Sequence, residues 1–176
     1  MISLGFPVNE IMTLISQLPH VKGRVEVVPT GRDFMVVIDY AHTPDGLENV
    51  CTALNKIKQG RLVTLFGCGG DRDKTKRPIM AKIAADYSDF VIITSDNPRT
   101  EDPDAIIADV LVGLKNTDVP SVTIADRIQA IEYAIEHAQK DDIILLAGKG
   151  HETYQILSTG KIHLDEREIV QAALKK

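Results

Sequence analysis

The amino-acid sequence predicts an α/β fold with a mostly parallel, doubly wound sheet. Short apolar runs of strand length alternate with segments of helical periodicity along most of the chain. The runs are rich in Val and Ile and apolar at consecutive positions, which is typical of strands buried on both faces. One late segment, TYQILSTGKIHL, instead has the pattern of a hairpin that turns at 158–160. We therefore expect a Rossmann-like sheet with an antiparallel edge strand or hairpin.

The individual strands follow from the apolar runs. A first strand begins in GRVEVV (23–28). Five further runs supply the body of the sheet: FMVVID (34–39), LVTLF (62–66), FVIIT (90–94), SVTI (121–124) and IILLA (143–147). Their length of four to six residues is that of ordinary strands rather than helices.

Helices are predicted between the strands from periodicity and from capping residues. They cover 44–58, 78–87, 103–114 and 126–139, followed by a last helix that opens at 165. Asp126 has the position of an N-cap, and Ile128, Ile131 and Ile135 repeat at spacings of three and four, which indicates a buried face. Asp165 begins a DERE stretch that resembles a capping box.

The first 22 residues differ in character from the rest. Residues 4–18 have helical periodicity, and Pro19 ends it. We interpret 1–22 as a remnant of an upstream domain and 23–176 as one domain. The apolar face of the opening helix would need a partner, and it consists of Ile11, Leu14, Ile15 and Leu18.

Composition narrows the class of protein. The 176 residues suffice for one domain with a sizeable core. A net charge of -5, with no basic block and only 5% aromatic residues, argues against a nucleic-acid partner. The apolar runs are too short to cross a membrane, and the N-terminus lacks a signal-peptide pattern. Cys51 and Cys68 make no disulfide framework, so we expect a cytoplasmic protein.

Four unusual segments follow four of the predicted strands. They are YAHTPDG (40–46), GCGGDRDKTKRP (67–78), SDNPRTEDP (95–103) and GKGHE (148–152). In an open parallel sheet, ligands bind beyond the carboxyl ends of the strands, where these segments would converge. The sequence therefore predicts one binding site at this edge.

Basic and acidic residues in these segments allow both structural and binding interpretations. The segment GCGGDRDKTKRP (67–78), which we call the glycine loop, fits neither a dinucleotide-binding motif nor a Walker motif. Its basic residues are therefore either solvated or bind an anion. DNPR (96–99) is either a surface turn or presents Arg99 to a second arginine, and two guanidinium groups can hold a carboxylate bidentately. Glu152 could bind an ammonium group, while His151 could be a buried structural residue. Asp39 could either bind ribose hydroxyls or cap the next helix.

Taken together, the motifs resemble the C-terminal domain of the Mur ligases. The motifs that carry the resemblance are GR-x-E (23–26), DYAHTP (39–44), FGCGGDRDKTKRP (66–78), DNPRTEDP (96–103) and AGKGHE (147–152). They most resemble the branch that adds the third residue of the peptidoglycan stem peptide. The resemblance extends from residue 23 to the C-terminus, and 1–22 resembles the end of the family's central ATPase domain.

The resemblance implies an ATP-dependent amide ligation. The acceptor carboxylate of a UDP-N-acetylmuramoyl dipeptide becomes an acyl phosphate, which the amine of the incoming amino acid attacks. DNPR is similar to the signature of relatives that take meso-diaminopimelate. A GxxxxGK[ST] loop is missing from the sequence, so magnesium and the catalytic residues are expected in the central domain, with no metal site and no ligation by this chain alone.

The resemblance also assigns roles to individual residues. The expected substrate-binding residues are Arg72, Asp96, Asn97, Pro98, Arg99, Gly148 and Glu152. Within this set, Arg72 and Arg99 would hold a carboxylate and Glu152 an ammonium group. The expected nucleotide-binding residues are Arg24, Asp39 and His42. Two alternatives stay open: a non-catalytic nucleotide or amino-acid binding module, and a related ligase with another amino-acid substrate.

Overall fold

A computed structural model describes residues 5, 7–16 and 21–176 and contains a six-stranded sheet of order β1-β2-β6-β3-β4-β5. The strands are β1 (Glu26–Val28), β2 (Met35–Asp39), β3 (Leu62–Phe66), β4 (Phe90–Ile93), β5 (Ser121–Thr123) and β6 (Ile143–Ala147). β1 pairs antiparallel with β2, and the other neighbouring strands are parallel. This confirms the predicted mostly parallel α/β sheet.

The late hairpin forms as predicted but lies outside the main sheet. β7 (Tyr154–Leu157) and β8 (Gly160–His163) form a separate two-stranded sheet. The antiparallel edge strand is instead β1, at the start of the domain. The reason is topological, because β6 lies between β2 and β3 and leaves no free neighbouring position for the hairpin that follows it. The hairpin packs against the loop after β4.

The helices agree with the sequence in number and differ at their ends. They are α1 (Val8–Ser16), α2 (Pro44–Asn55), α3 (Lys76–Tyr87), α4 (Pro103–Leu111), α5 (Arg127–Glu136) and α6 (Glu166–Ala173), with a 3-10 turn at 112–114. Side-chain oxygens cap four of them at the N-terminus, from Thr43, Asp102, Asp126 and Asp165. The helix after β2 is therefore capped by Thr43 and not by Asp39.

Two details of the helix predictions are wrong. Ile128 was expected on the buried face of α5 but is 40% exposed, because the stripe that α5 buries contains Ala130, Ile131 and Ala134. The capping box of α6 is only half formed, since the Glu168 carboxylate contacts His163 Nε2 at 2.7 Å.

The sheet carries a hydrophobic layer on each face. On one face, α2, α3 and α4 pack against side chains that include Val37 and Leu145. On the other face, α5 and α6 pack against Ile38, Ile144 and Leu146. Successive residues of one strand point to opposite faces of the sheet. Because both faces are covered by helices, residues at both kinds of position must be apolar. Polar side chains are therefore found mainly in the loops at the strand ends.

The opening helix is described only in part. In α1, Ile11 is buried, whereas Leu14 is 54% exposed. The side chain of Ile15, and residues Leu18 and Pro19, lie outside the described residues. The division of the chain at residue 22 stays a prediction.

A buried ion pair connects the strand ends to α6. Arg127 and Glu166 are both fully buried side chains, and Arg127 Nε donates to Glu166 Oε1 at 2.9 Å. Arg127 also donates to the carbonyl oxygens of Ser95 at 3.2 Å and Ala147 at 2.9 Å. One guanidinium thus holds the ends of β4 and β6 against the N-terminus of α6.

A second buried arginine joins the loop after β3 to the loop after β4. Arg77 donates to both carboxylate oxygens of Glu101, at 3.1 and 2.9 Å, and to Asp109 at 2.8 Å. Glu101 also accepts from the backbone N–H of Asp71 and contacts Lys74 Nζ at 3.1 Å. These contacts, first of all the hydrogen bonds from Arg77, lower the pKa of Glu101 from 4.5 to about 2.

Arg127→Met should lower the free energy of unfolding by about 3–5 kcal/mol, because it leaves the Glu166 carboxylate buried without its cation. Urea denaturation followed by circular dichroism measures this. A suitable control is Lys82→Met, which removes an exposed pair with Asp86 on α3 and should cost less than about 0.5 kcal/mol. Equal losses in the two variants would contradict the assigned role of Arg127.

The lowered pKa of Glu101 predicts a pH dependence of stability. A carboxyl group whose pKa is lower in the folded state stabilises it fully above the unfolded value, here 4.5, and that stabilisation is lost as pH falls towards about 2. Glu101→Gln should therefore have a shallower fall in unfolding free energy than the wild type over this range. Glu132→Gln, which removes an exposed partner of Lys176, serves as the control and should keep the wild-type slope.

Candidate functional site

A cleft of about 320 Å³ lies at the carboxyl edge of the sheet, between the loops that follow β2, β3, β4 and β6. Seven of the predicted site residues line it: His42, Arg72, Asp96, Asn97, Arg99, Gly148 and Glu152. Tyr40 and Lys76 lie in the same wall. The four unusual segments thus converge in space, although the roles of their residues stay predictions.

The other three predicted site residues lie outside the lining of this cleft. Pro98 is buried behind it, and its carbonyl oxygen would lie 1.9 Å from a Cβ placed on Gly70. The Asp39 carboxylate accepts hydrogen bonds from the backbone N–H groups of Val25 and Ala41, at 2.7 and 2.8 Å. Arg24 is exposed, with its guanidinium carbon 4.9 Å from the centre of the Tyr40 ring.

Arg99 has an unusual backbone conformation. Its φ of 55° lies in the left-handed region, which is costly for a residue with a Cβ. The conformation is held because the N–H of Arg99 donates to Ile156 O at 3.0 Å and its Nη1 donates to Gly70 O at 2.8 Å. The hairpin therefore holds the main chain of Arg99, and the glycine loop holds its guanidinium group.

The two arginines predicted to act together are close to one another. A Cβ placed on Gly69 would lie 2.8 Å from Arg99 Nη1 and 3.9 Å from Arg72 Cγ. Arg72 is exposed, and its Nη1 donates to Asp71 O at 2.9 Å. Glycine at 69 leaves room for both side chains, and both arginines line the cleft.

Lys149 was given no role from the sequence, yet it lies at the centre of the contacts behind the cleft. Its side chain is fully buried, and Nζ donates to Asn97 Oδ1 at 2.9 Å and contacts Glu152 Oε2 at 3.3 Å. Asp96 Oδ1 lies 3.1 Å from the same atom, without hydrogen-bond geometry. The signal that could have revealed it is a lysine between two glycines directly after the most apolar strand.

Asn97 is held from three sides. Its Oδ1 accepts from Lys149 and from the backbone N–H of Ile156, each at 2.9 Å, and its Nδ2 donates to Glu152 Oε2 at 3.0 Å. The described contacts of the Glu152 carboxylate use Oε2. The other oxygen is therefore available to a positively charged group in the cleft.

The remaining motif residues support the loops. A Cβ on Gly23, which has a φ of 73°, would lie 2.2 Å from the backbone nitrogen of His151, so only glycine fits there. Glu26 accepts from Gly23 N and pairs with Arg167, whose hydrogen bond lowers the pKa of Glu26. His151 itself is exposed, so the buried structural role considered for it is wrong.

Three further findings apply to the part of the chain that the structure describes. Burial raises the pKa of the Cys68 thiol, in the wall of the cleft, to about 11, so the thiol stays protonated at neutral pH. Residues 5, 7–16 and 21–176 contain no group of three or more His, Cys, Asp or Glu placed to hold a metal ion. Within the same residues, none of the helices is both long and apolar enough to cross a membrane.

Comparison with known proteins yields close relatives. The chain is 56% identical over 171 residues to the UDP-N-acetylmuramoyl-L-alanyl-D-glutamate–2,6-diaminopimelate ligase of Caldanaerobacter subterraneus subsp. tengcongensis, covering 97% of this chain and 35% of that protein. It is 52% identical to the ligase of the same name from Fusobacterium nucleatum subsp. nucleatum, with the same coverage. The chain thus spans about a third of the length of these relatives.

A solved structure of a protein with this name superposes with a TM-score of 0.83 at 40% identity, covering 98% of this chain and 35% of that chain. Residues 23–150 match the family described as Mur ligase, glutamate ligase domain. This match includes more than half of the chain, four of the five motifs in full and part of the fifth. The chain therefore belongs to the family of Mur ligase glutamate ligase domains.

Proposed function

We propose that this chain is the C-terminal domain of an ATP-dependent ligase that adds meso-diaminopimelate to a UDP-N-acetylmuramoyl dipeptide. In this role it holds the incoming amino acid and closes over ATP. One observation carries the proposal: Arg72 and Arg99 both lie close to Gly69 in the lining of a cleft that Glu152 also lines. The names of the two curated relatives agree with this substrate.

The charges in the cleft match those of the proposed substrate. Diaminopimelate carries two carboxylate and two ammonium groups, whereas lysine lacks the distal carboxylate. Two guanidinium groups can bind a carboxylate through paired N–H donors, and Glu152 can accept from an ammonium. Lysine would leave an arginine without its anionic partner, at a cost of about 1–3 kcal/mol.

The volume of the cleft supports binding of the amino acid within this domain and of ATP largely outside it. About 320 Å³ is at the small end of ligand pockets and suits one amino acid. ATP would then lie largely beyond it, between this domain and a preceding ATPase domain. Residues 1–22 would be the end of that preceding domain, which would also supply the magnesium ligands. An enzyme that uses ATP and a UDP-linked precursor would work in the cytoplasm.

The residues of this chain would position the amino acid for attack. ATP, when bound, supplies the phosphoryl group that activates the acceptor carboxylate. Arg72 and Arg99 hold one carboxylate of diaminopimelate, while Glu152 and Asn97 bind polar groups at the other side of the cleft. Gly148, with a φ of 115°, offers backbone atoms there. Fixing the amine in this way raises the rate of ligation by removing translational and rotational freedom.

The chain should bind meso-diaminopimelate and should bind L-lysine at least about tenfold more weakly, as measured by isothermal titration calorimetry. Arg99→Lys should weaken binding of diaminopimelate by about 1–3 kcal/mol, because a lysine cannot make the paired hydrogen bonds of a guanidinium.

The matched control is Arg32→Lys, at an exposed arginine whose Nη2 donates to Leu174 O at the opposite edge of the sheet. This variant should bind as the wild type does. Equal affinity for both amino acids would leave DNPR as a simple turn, and the proposed substrate would be wrong.

The chain should not catalyse ligation alone, since the phosphate-binding loop is missing from its sequence. Release of phosphate from ATP, with dipeptide substrate and diaminopimelate both present, should stay at the background rate. Turnover at the rate of a full ligase would contradict the assignment of this chain as one domain of a larger enzyme.

A further inference from the structure

We propose that Lys149 is a positioning residue for amino-acid binding, which sets the orientation of Asn97 and holds Glu152 in the cleft. This inference rests on the proposed function. Lys149 does not itself line the cleft, but its three polar partners, Asp96, Asn97 and Glu152, all do. Its effect on a ligand is therefore exerted through them.

The ammonium group determines which end of the Asn97 amide faces the ligand. An ammonium has only donors, so the atom that it contacts at 2.9 Å must be the amide oxygen. The backbone N–H of Ile156 places a second donor on the same oxygen. The amide nitrogen is thereby directed to Glu152 and to the cleft. Asn97 is consequently presented to an amino acid as a donor, which suits a carboxylate.

The same ammonium group holds two carboxylates in place. Asp96 and Glu152, from different loops, lie 3.1 and 3.3 Å from Lys149 Nζ. The side chains of both acids are more than four-fifths buried, so water screens their mutual repulsion only weakly. Without the cation between them the two carboxylates would move apart, and Glu152 would turn away from Asn97.

Among the residues that the structure describes, Lys149 differs in this respect from the other two fully buried cations. Arg77 contacts Glu101, Asp109 and the backbone of Gly69, while Arg127 contacts Glu166 and backbone carbonyls. Their carboxylate partners lie outside the cleft lining. Lys149 alone among these three contacts acidic and amide side chains that line the cleft. A change at Lys149 should therefore alter affinity as well as stability, whereas changes at Arg77 and Arg127 should act mainly on stability.

The first test is Lys149→Met, which keeps the length of the side chain and removes its charge. Calorimetric titration with meso-diaminopimelate should show affinity reduced by about tenfold or more, as expected for loss of hydrogen bonds to charged groups. Lys161→Met is the control. Lys161 lies on the exposed hairpin with Nζ 3.3 Å from the centre of the Tyr154 ring, and its loss should change affinity less than about twofold.

A double variant separates positioning from support of the fold. Lys149→Met combined with Asp96→Asn restores the net charge of the cluster, so its melting temperature should return towards that of the wild type. Its affinity for diaminopimelate should stay below that of Asp96→Asn alone, because Asn97 still lacks the donor that orients it. Should Lys149→Met alone fail to fold, the double variant replaces it in the titration.

The outcomes distinguish the two proposals. Wild-type affinity in Lys149→Met, or a double variant that binds as tightly as Asp96→Asn alone, would overturn the role of Lys149 and leave the proposed function standing. Absence of diaminopimelate binding by the wild-type chain would overturn both.

Discussion

A cation that is removed from water must be surrounded by oxygen atoms, and this requirement shapes the carboxyl edge of the sheet. Arg77, Arg127 and Lys149 are fully buried there. Each one gathers carboxylates or carbonyls from segments that are distant in the sequence, so the three together determine how the loops lie. The strands provide a rigid apolar base, and these cations hold the loops after β3, β4 and β6 together as walls of one cleft.

The strands could be predicted from the sequence because burial on both faces leaves a local signal. A run such as IILLA in β6 is apolar at each position, and the structure shows all five residues buried. The convergence of the four loops followed from the parallel arrangement of the strands. These features depend on neighbouring residues or on topology, so they can be inferred without knowing any side-chain contact.

The features that escaped prediction depend on contacts across the fold. The hairpin lies outside the main sheet because β6 already has β2 and β3 as its neighbours. Ile128 is exposed because α5 turns Ala130, Ile131 and Ala134 towards the sheet instead. The role of Lys149 requires three partners from two loops, at distances in sequence of up to 53 residues from Asp96 to Lys149. The lysine between two glycines marks the segment as unusual, but the local sequence does not say which distant side chains the lysine contacts.

One of the two contacts that hold the backbone of residue 99 does not involve its side chain. Its N–H donates to the hairpin, and its left-handed conformation is one that asparagine adopts more readily than arginine. The hydrogen bond from the N–H of residue 99 to Ile156 O can therefore form with different side chains at this position. A different side chain at this position would lose the contacts of the guanidinium with Gly70 O and Asn97 O, but it would keep the contact between the main chain and the hairpin.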